Sequence, residues 1–132
     1  MSHPLWVPYE IALAFHREQV AEHGGSPGLR SEDSLRAALA RPEQRLNFEP
    51  RSDLVRLAAA YAFGIAKAHA FVDGNKRVAF AVAVTFLWRN GQYLDVATRE
   101  AERMMMALAA GDIDEIEFSE WLRDNCTAVP AA

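Results

Sequence analysis

The sequence predicts an all-α, single-domain protein of about six helices, and three observations support this fold class. The chain has 132 residues, which suits one domain, and 51% of them are hydrophobic, which is enough to build a core. Two long segments, 57–66 and 78–88, are almost continuously apolar, as buried central helices are. A single weak strand candidate, 92–96, would need the stretch near 46–48 as its partner.

The first two predicted helices lie in the N-terminal third of the chain. The first covers 9–23 and ends at Gly24-Gly25, because glycine tolerates the positive φ of a helix end. Ser31 is a favourable N-cap for the second helix. This helix is expected to end before Pro42, since the residue before a proline avoids the helical region. The segment 41–51 is therefore expected to be a polar loop.

The other four predicted helices begin and end at recognisable boundary residues. Their expected spans are 52–68 capped by Ser52, 75–90 ending at Asn90-Gly91, 98–110 capped by Thr98, and 114–125 with a capping box of Asp114 and Glu117. The third and fourth helices are the apolar ones. A short polar loop, 69–74, between two buried helices calls for a functional explanation.

Composition excludes several classes of protein. The formal net charge of −4 offers no overall basic face for duplex DNA, so we expect no direct nucleic-acid binding. The lone Cys126 cannot form an internal disulfide, which favours a cytoplasmic protein. Residues 1–9 contain no basic segment followed by an apolar run, and 78–88 is too short to span a bilayer. We therefore expect neither a signal peptide nor a membrane partner.

The loop and helix start at 69–77, with the sequence HAFVDGNKR, carry the chemistry. The first N–H groups of a helix lack internal partners and attract anions. Lys76 and Arg77 add two cations at that same positive end, an unfavourable arrangement unless an anion lies between them. Gly74 would let a ligand approach the backbone closely or supply a positive φ. The pattern favours a polyphosphate ligand.

The neighbouring side chains complete a phosphate-transfer set. Asp73 is a hard oxygen ligand suited to Mg²⁺ between phosphates, and His69 can accept a proton from a hydroxyl near neutral pH. Asn75 can donate to a phosphate oxygen, Arg77 can bind one in a bidentate fork, and Phe71 is the expected apolar anchor of the loop. Each residue alone has an ordinary interpretation: a helix-end histidine, an Asp-Gly-Asn turn, a solvated Lys-Arg pair. Their conjunction between two core helices favours phosphoryl transfer.

These residues resemble the signature of the Fic/Doc superfamily, in which a His, a Phe, a Gly-Asn pair and an Arg recur at this spacing. The resemblance extends over about residues 9–125, and it is closer to the death-on-curing (Doc) branch. Fic adenylyl-transferases generally have Gly after the Asn and a second Arg three positions after the first. Here those positions are Lys76 and Phe80. Gly74 often has Ala as its counterpart in Doc-like proteins.

The resemblance implies a helical toxin of a toxin–antitoxin pair. It implies ATP and Mg²⁺ as cofactors and phosphorylation of a translation factor, elongation factor Tu. By the same resemblance, His69 is the general base, Asp73 the Mg²⁺ ligand, and Asn75, Lys76 and Arg77 bind phosphate. A Fic-like adenylyl-transferase and an inactive helical binding module remain the alternatives.

Two further expectations concern regulation and the flanking residues. The internal inhibitory pattern of some Fic-like proteins, Ser/Thr-x-x-x-Glu-Gly/Asn, is not complete here, because Thr98 to Glu102 is followed by Arg103. Inhibition is therefore expected from a separate antitoxin protein whose helix docks near the site. His16 and Arg30 occupy family-like positions; the first is a core, surface or site histidine, and the second an exposed cation or part of a substrate-binding flap.

Overall fold

Six helices and one small antiparallel sheet form the computed structural model, which describes residues 3–129. This architecture confirms the predicted all-α fold class. In chain order the elements are α1 Tyr9–His23, α2 Glu32–Phe48, α3 Leu54–Ala68, α4 Asn75–Arg89, β1 Gln92–Leu94, α5 Thr98–Ala110, α6 Glu115–Asn125 and β2 Cys126–Ala128.

Helix α3 is the centre of the fold. It packs against α2, α4, α5 and α6, and ten of its fifteen residues are buried. Helix α4 packs along α3 and buries a second apolar set that includes Val78, Val82 and Phe86. Both helices are core elements because their apolar residues cover most of their circumference, as the sequence predicted. Among residues 3–129, no helix has the length and apolar character needed to cross a bilayer.

The predicted end of the second helix at Pro42, and the loop 41–51, are wrong. Helix α2 continues through Pro42 to Phe48. Proline has no N–H for the carbonyl of Ala38, and a proline inside a helix costs about 3 kcal/mol. Here Pro42 is buried, and α3 approaches the freed carbonyl so closely that a Cβ on Gly64 would lie 3.3 Å from the Ala38 oxygen. Tertiary packing therefore holds the last two turns in place.

An ion-pair network holds the same part of α2 against α6. Glu115 is only 9% exposed, and its carboxylate binds Arg41 and Arg45 on successive turns of α2. The Arg45–Glu115 contact measures 3.1 Å, and Arg45 also binds the exposed Glu49 at 2.5 Å. Since both arginines lie in the segment predicted to be a loop, Glu115 stabilises the helical form of that segment.

Three boundary predictions need correction. Asp53 caps α3, accepting from the Arg56 N–H at 3.0 Å, whereas Ser52 donates to the Glu49 carbonyl. Thr98 is the first residue of α5 and not its cap. The predicted strand 92–96 is shorter, and β1 pairs with β2 instead of 46–48, which is helical. The Asp114–Glu117 capping box is confirmed, with contacts of 2.7 and 3.0 Å.

We predict that Glu115→Ala lowers the free energy of unfolding by about 2 kcal/mol, because it leaves two partly buried arginines without their shared carboxylate. The control is Glu49→Ala, which removes an exposed partner of Arg45 and should cost less than about 1 kcal/mol. Urea unfolding followed by circular dichroism measures both. Equal losses in the two variants would show that Glu115 does not hold α2 in place.

Candidate active site

The motif loop, residues 69–74, links the two central helices and begins with an unusual backbone conformation. His69 ends α3 in the left-handed region, with φ 49° and ψ 40°, and no other non-glycine residue between 3 and 129 has a positive φ. This conformation costs a non-glycine residue about 1 kcal/mol, and such residues concentrate at functional sites. The turn makes the chain leave α3 abruptly and exposes the imidazole to solvent.

Asn75 closes the loop from the other side. Its Oδ1 accepts from the Phe71 N–H and its Nδ2 donates to the Phe71 carbonyl, both at 3.0 Å. One side chain thus pairs with both backbone groups of Phe71, whose own ring is buried at 1% exposure. These two hydrogen bonds use one of the two side-chain amide N–H groups of Asn75. The other is left for the phosphate contact that the sequence predicted.

A flap segment, residues 24–31, pairs with the motif loop. The Val72 N–H donates to the Gly28 carbonyl at 3.2 Å, and the N–H groups of Arg30 and Ser31 donate to the Ala70 carbonyl at 2.7 and 3.1 Å. Leu29 and Phe71 form an isolated antiparallel bridge. Backbone pairing therefore places Arg30, which the sequence left open, beside the motif loop with its side chain exposed.

His16 belongs to the site as well, and sequence reasoning left its role undecided. It lies in α1 with 5% exposure, and its Nε2 is 2.9 Å from the Asp73 carbonyl oxygen. Its ring stacks on Phe71 with centroids 4.0 Å apart and planes at 14°. The signal in the sequence was its position one turn after Ala12, the other buried residue of α1. That spacing alone cannot separate a packed histidine from a functional one.

The start of α4 is uncapped and forms a candidate anion site. Its N-cap is Gly74, at φ 82°, and no side chain caps the first turn. Lys76 and Arg77 are exposed, and neither forms an ion pair within residues 3–129. Free N–H groups, a positive helix end and two cations all favour a bound anion, and phosphate groups fit such a site.

Asp73 presents an exposed carboxylate next to this helix start. Its Oδ1 accepts from the Gly74 N–H at 2.8 Å, and the flap lies so close that a Cβ on Gly25 would meet Oδ2 at 2.6 Å. Within residues 3–129, no cluster of three metal-ligating side chains surrounds it. One carboxylate suits Mg²⁺, which usually keeps several waters and binds through one or two carboxylates and substrate phosphates.

A groove of about 590 Å³ runs from the anion site to α5. One side is polar and is formed by residues 73–77. The rest of the lining is mixed: Phe80, Val96, Met105 and Met106 are apolar, whereas Thr98 and Glu102 of α5 and Gln19 and His23 of α1 are polar. The structure therefore brings together Asp73, Gly74, Asn75, Lys76 and Arg77 along the groove, whereas His69 and Phe71 lie outside its lining. Of the methionines, Met105 is buried and Met106 is 62% exposed.

Sequence comparisons with known proteins find relatives of this chain. The model of the Fic/DOC family matches residues 6–87. "Protein kinase doc" of Escherichia phage P1 is 32% identical over 115 residues, which cover 86% of this chain and 90% of that protein. "Toxin Doc" of Mycolicibacterium smegmatis (strain ATCC 700084 / mc(2)155) is 40% identical over 94 residues, 69% of this chain and 72% of that protein. The family match includes the entire motif loop.

We predict that Gly25→Ala weakens Mg²⁺-dependent nucleotide binding about tenfold or more, because the new methyl group must displace the Asp73 carboxylate. Gly24→Ala is the matched control, since Gly24 also has a positive φ, 74° against 103°, but a Cβ there meets nothing within 4 Å. Calorimetry with ATP, with and without Mg²⁺, compares the two variants. The same loss in both would point to backbone strain and not to Asp73.

Proposed function

Because the chain belongs to the Fic/DOC family, we propose that it is a Doc-type toxin kinase that transfers the γ-phosphate of ATP to a Ser or Thr hydroxyl of a translation factor. The observation that carries this proposal is the uncapped start of α4, where Lys76 and Arg77 flank free backbone N–H groups beside Asp73. The proposed target resembles elongation factor Tu, so the proposed site of action is the cytoplasm.

Nucleotide binding on this proposal uses the polar side of the groove. The first N–H groups of α4 hold a phosphate oxygen, Lys76 contributes a point charge, and Arg77 binds a second oxygen in a fork. Negatively and positively charged side chains line this polar side of the groove, because Asp73 directly precedes Gly74, the N-cap of α4. Asp73 would hold Mg²⁺, which would supply positive charge against the charge that develops during transfer.

The proton of the acceptor hydroxyl goes to His69. As that proton leaves, the hydroxyl oxygen forms a bond to the γ-phosphorus, the bond from that phosphorus to the bridging oxygen breaks, and ADP departs. His69 is exposed at the rim of the loop, outside the groove lining, so a hydroxyl on the surface of another protein can reach it. A base on the open side and phosphate ligands inside the groove suit a protein substrate.

The groove favours a kinase over an adenylyl-transferase at two positions. Lys76 adds a side chain and a charge where a Gly would leave only backbone N–H groups. Phe80, where Fic enzymes have a second Arg, is an apolar residue of the groove lining and can bind no phosphate. The second cation therefore lies at the helix start instead of about one turn further along α4, and the terminal phosphate is the one proposed to lie at the helix start.

A relative named a toxin implies an antitoxin, and the apolar residues of the groove support one as a partner. Phe80, Val96 and the exposed Met106 line the groove together with Thr98 and Glu102 of α5, and an amphipathic helix could cover such a surface with its nonpolar face on the apolar residues. Methionine side chains adapt easily to such a partner. An antitoxin helix seated there would lie directly against the phosphate ligands and block ATP.

The direct test of the kinase proposal gives the purified protein, Mg²⁺ and elongation factor Tu either α- or γ-labelled ATP. We predict γ-label on the factor and no α-label. His69→Asn should lower the transfer by about 10²- to 10⁴-fold, because it removes the base while Asn still tolerates the left-handed backbone of position 69.

His3→Asn, the same change at an exposed residue outside the site, is the control and should transfer normally. Circular dichroism verifies that each variant is folded. Transfer of the α-label by the wild type would make the protein an adenylyl-transferase, and transfer of neither label would leave a binding module. Undiminished transfer by folded His69→Asn would remove His69 from the mechanism.

A second prediction concerns Lys76. Lys76→Gly should reduce γ-label transfer by about 10²-fold, since one charge-assisted contact to a transferring phosphate is worth roughly 3 kcal/mol in the transition state. Arg99→Gly is a matched removal of a cation from an exposed helix start, at a position that does not line the groove, and should have no such effect. Equal rates for wild type and Lys76→Gly would mean that Lys76 does not contact the transferred phosphate.

A further inference from the structure

His16 differs from the other histidines because it is buried and makes a directed contact with the motif loop. Its exposure is 5%, and its Nε2 lies 2.9 Å from the Asp73 carbonyl oxygen. A carbonyl oxygen only accepts, so Nε2 carries the proton and donates. A buried polar group is costly unless it is hydrogen-bonded, so this contact favours the ring orientation seen in the structure.

The carbonyl that His16 holds belongs to the same peptide group as the N–H that binds the Asp73 side chain. The Asp73 carbonyl and the Gly74 N–H are the two ends of one planar unit, and that N–H donates to Asp73 Oδ1 at 2.8 Å. Fixing one end of the plane therefore fixes the direction of the other. The orientation of the peptide, in turn, sets where the carboxylate of Asp73 points.

The flexibility of Gly74 is the reason that the Asp73–Gly74 peptide needs to be held by His16. Its φ of 82° is one that glycine adopts as readily as a negative φ, so the preceding peptide can rotate at little cost. If it rotated, the N–H would leave the Asp73 carboxylate and the chain would enter α4 at a different angle. His16 is also held against movement, because its ring stacks on the buried Phe71 at 4.0 Å.

We propose that His16 is a positioning residue that locks the Asp73–Gly74 peptide and thereby aims the Asp73 carboxylate at the groove. Its relevance to phosphoryl transfer rests on the proposed function, but the lock is a property of the loop itself. The hydrogen bond is the functional part of the contact, and the ring stack holds the donor in place.

Two substitutions separate these parts. His16→Phe keeps an aromatic ring against Phe71 and loses the donor, whereas His16→Gln keeps an N–H donor the same number of bonds from Cβ and loses the aromatic stack. We expect the Gly74 amide hydrogen of His16→Phe to exchange roughly 3- to 10-fold faster than that of the wild type, as the loss of one neutral hydrogen bond predicts. In His16→Gln the exchange rate should stay near the wild-type value.

Binding of Mn²⁺ with a non-hydrolysable ATP analogue, followed by the electron paramagnetic resonance of free Mn²⁺, provides a second readout that requires no transfer. Affinity should fall in His16→Phe and recover in His16→Gln, while melting temperatures report any general loss of stability. Equal behaviour of both variants, whether both match the wild type or both fall, would overturn the proposal, as would a defect in His16→Gln alone. Amide exchange is measured without substrate. It therefore tests the role of His16 even if the protein transfers no γ-label.

Discussion

The two hydrogen bonds between the side chain of Asn75 and the backbone of Phe71 hold the candidate site together. They close the loop between the two most buried helices, and every group of the site lies within or beside that loop. With the loop closed, the ring of Phe71 points into the core, where it meets His16, and the backbone on either side of Phe71 pairs with the flap. A connection of six residues without these hydrogen bonds would sample many conformations.

The core makes this loop rigid at both ends. Helices α3 and α4 are fixed by apolar packing, so the points where the chain leaves one and enters the other are fixed as well. The left-handed turn at His69 and the positive φ of Gly74 allow a short connection between α3 and α4. Strain in such a short link is tolerated because the packing of the two helices outweighs it. The helix start can then keep free N–H groups facing the groove without a side-chain cap.

Much of this arrangement was readable from the sequence. Continuous apolar runs predicted the two central helices. The conjunction of His69, Asp73, Asn75, Lys76 and Arg77 directed attention to the start of α4 as a candidate phosphate site, which stays a prediction. The length of α2 was not readable, because its last turns depend on contacts with Gly64 and Glu115 that are distant in sequence and override the local effect of Pro42. The partner of β1 was missed for the same reason: β2 follows it only after two helices. The role of His16 stayed open and Gly25 was read only as a helix end, because only the fold brings these residues to Asp73.

The central claim is that a preformed loop presents the start of α4 to a nucleotide phosphate. Amide chemical shifts of the isotope-labelled protein, recorded while Mg²⁺ and a non-hydrolysable ATP analogue are added, test it most directly. We predict large shifts at residues 74–78, and little change at Phe71, whose N–H is already bound by Asn75. A separate cavity is lined by Arg51, Arg56 and Arg123; shifts centred there, or no shifts at the start of α4, would contradict this prediction.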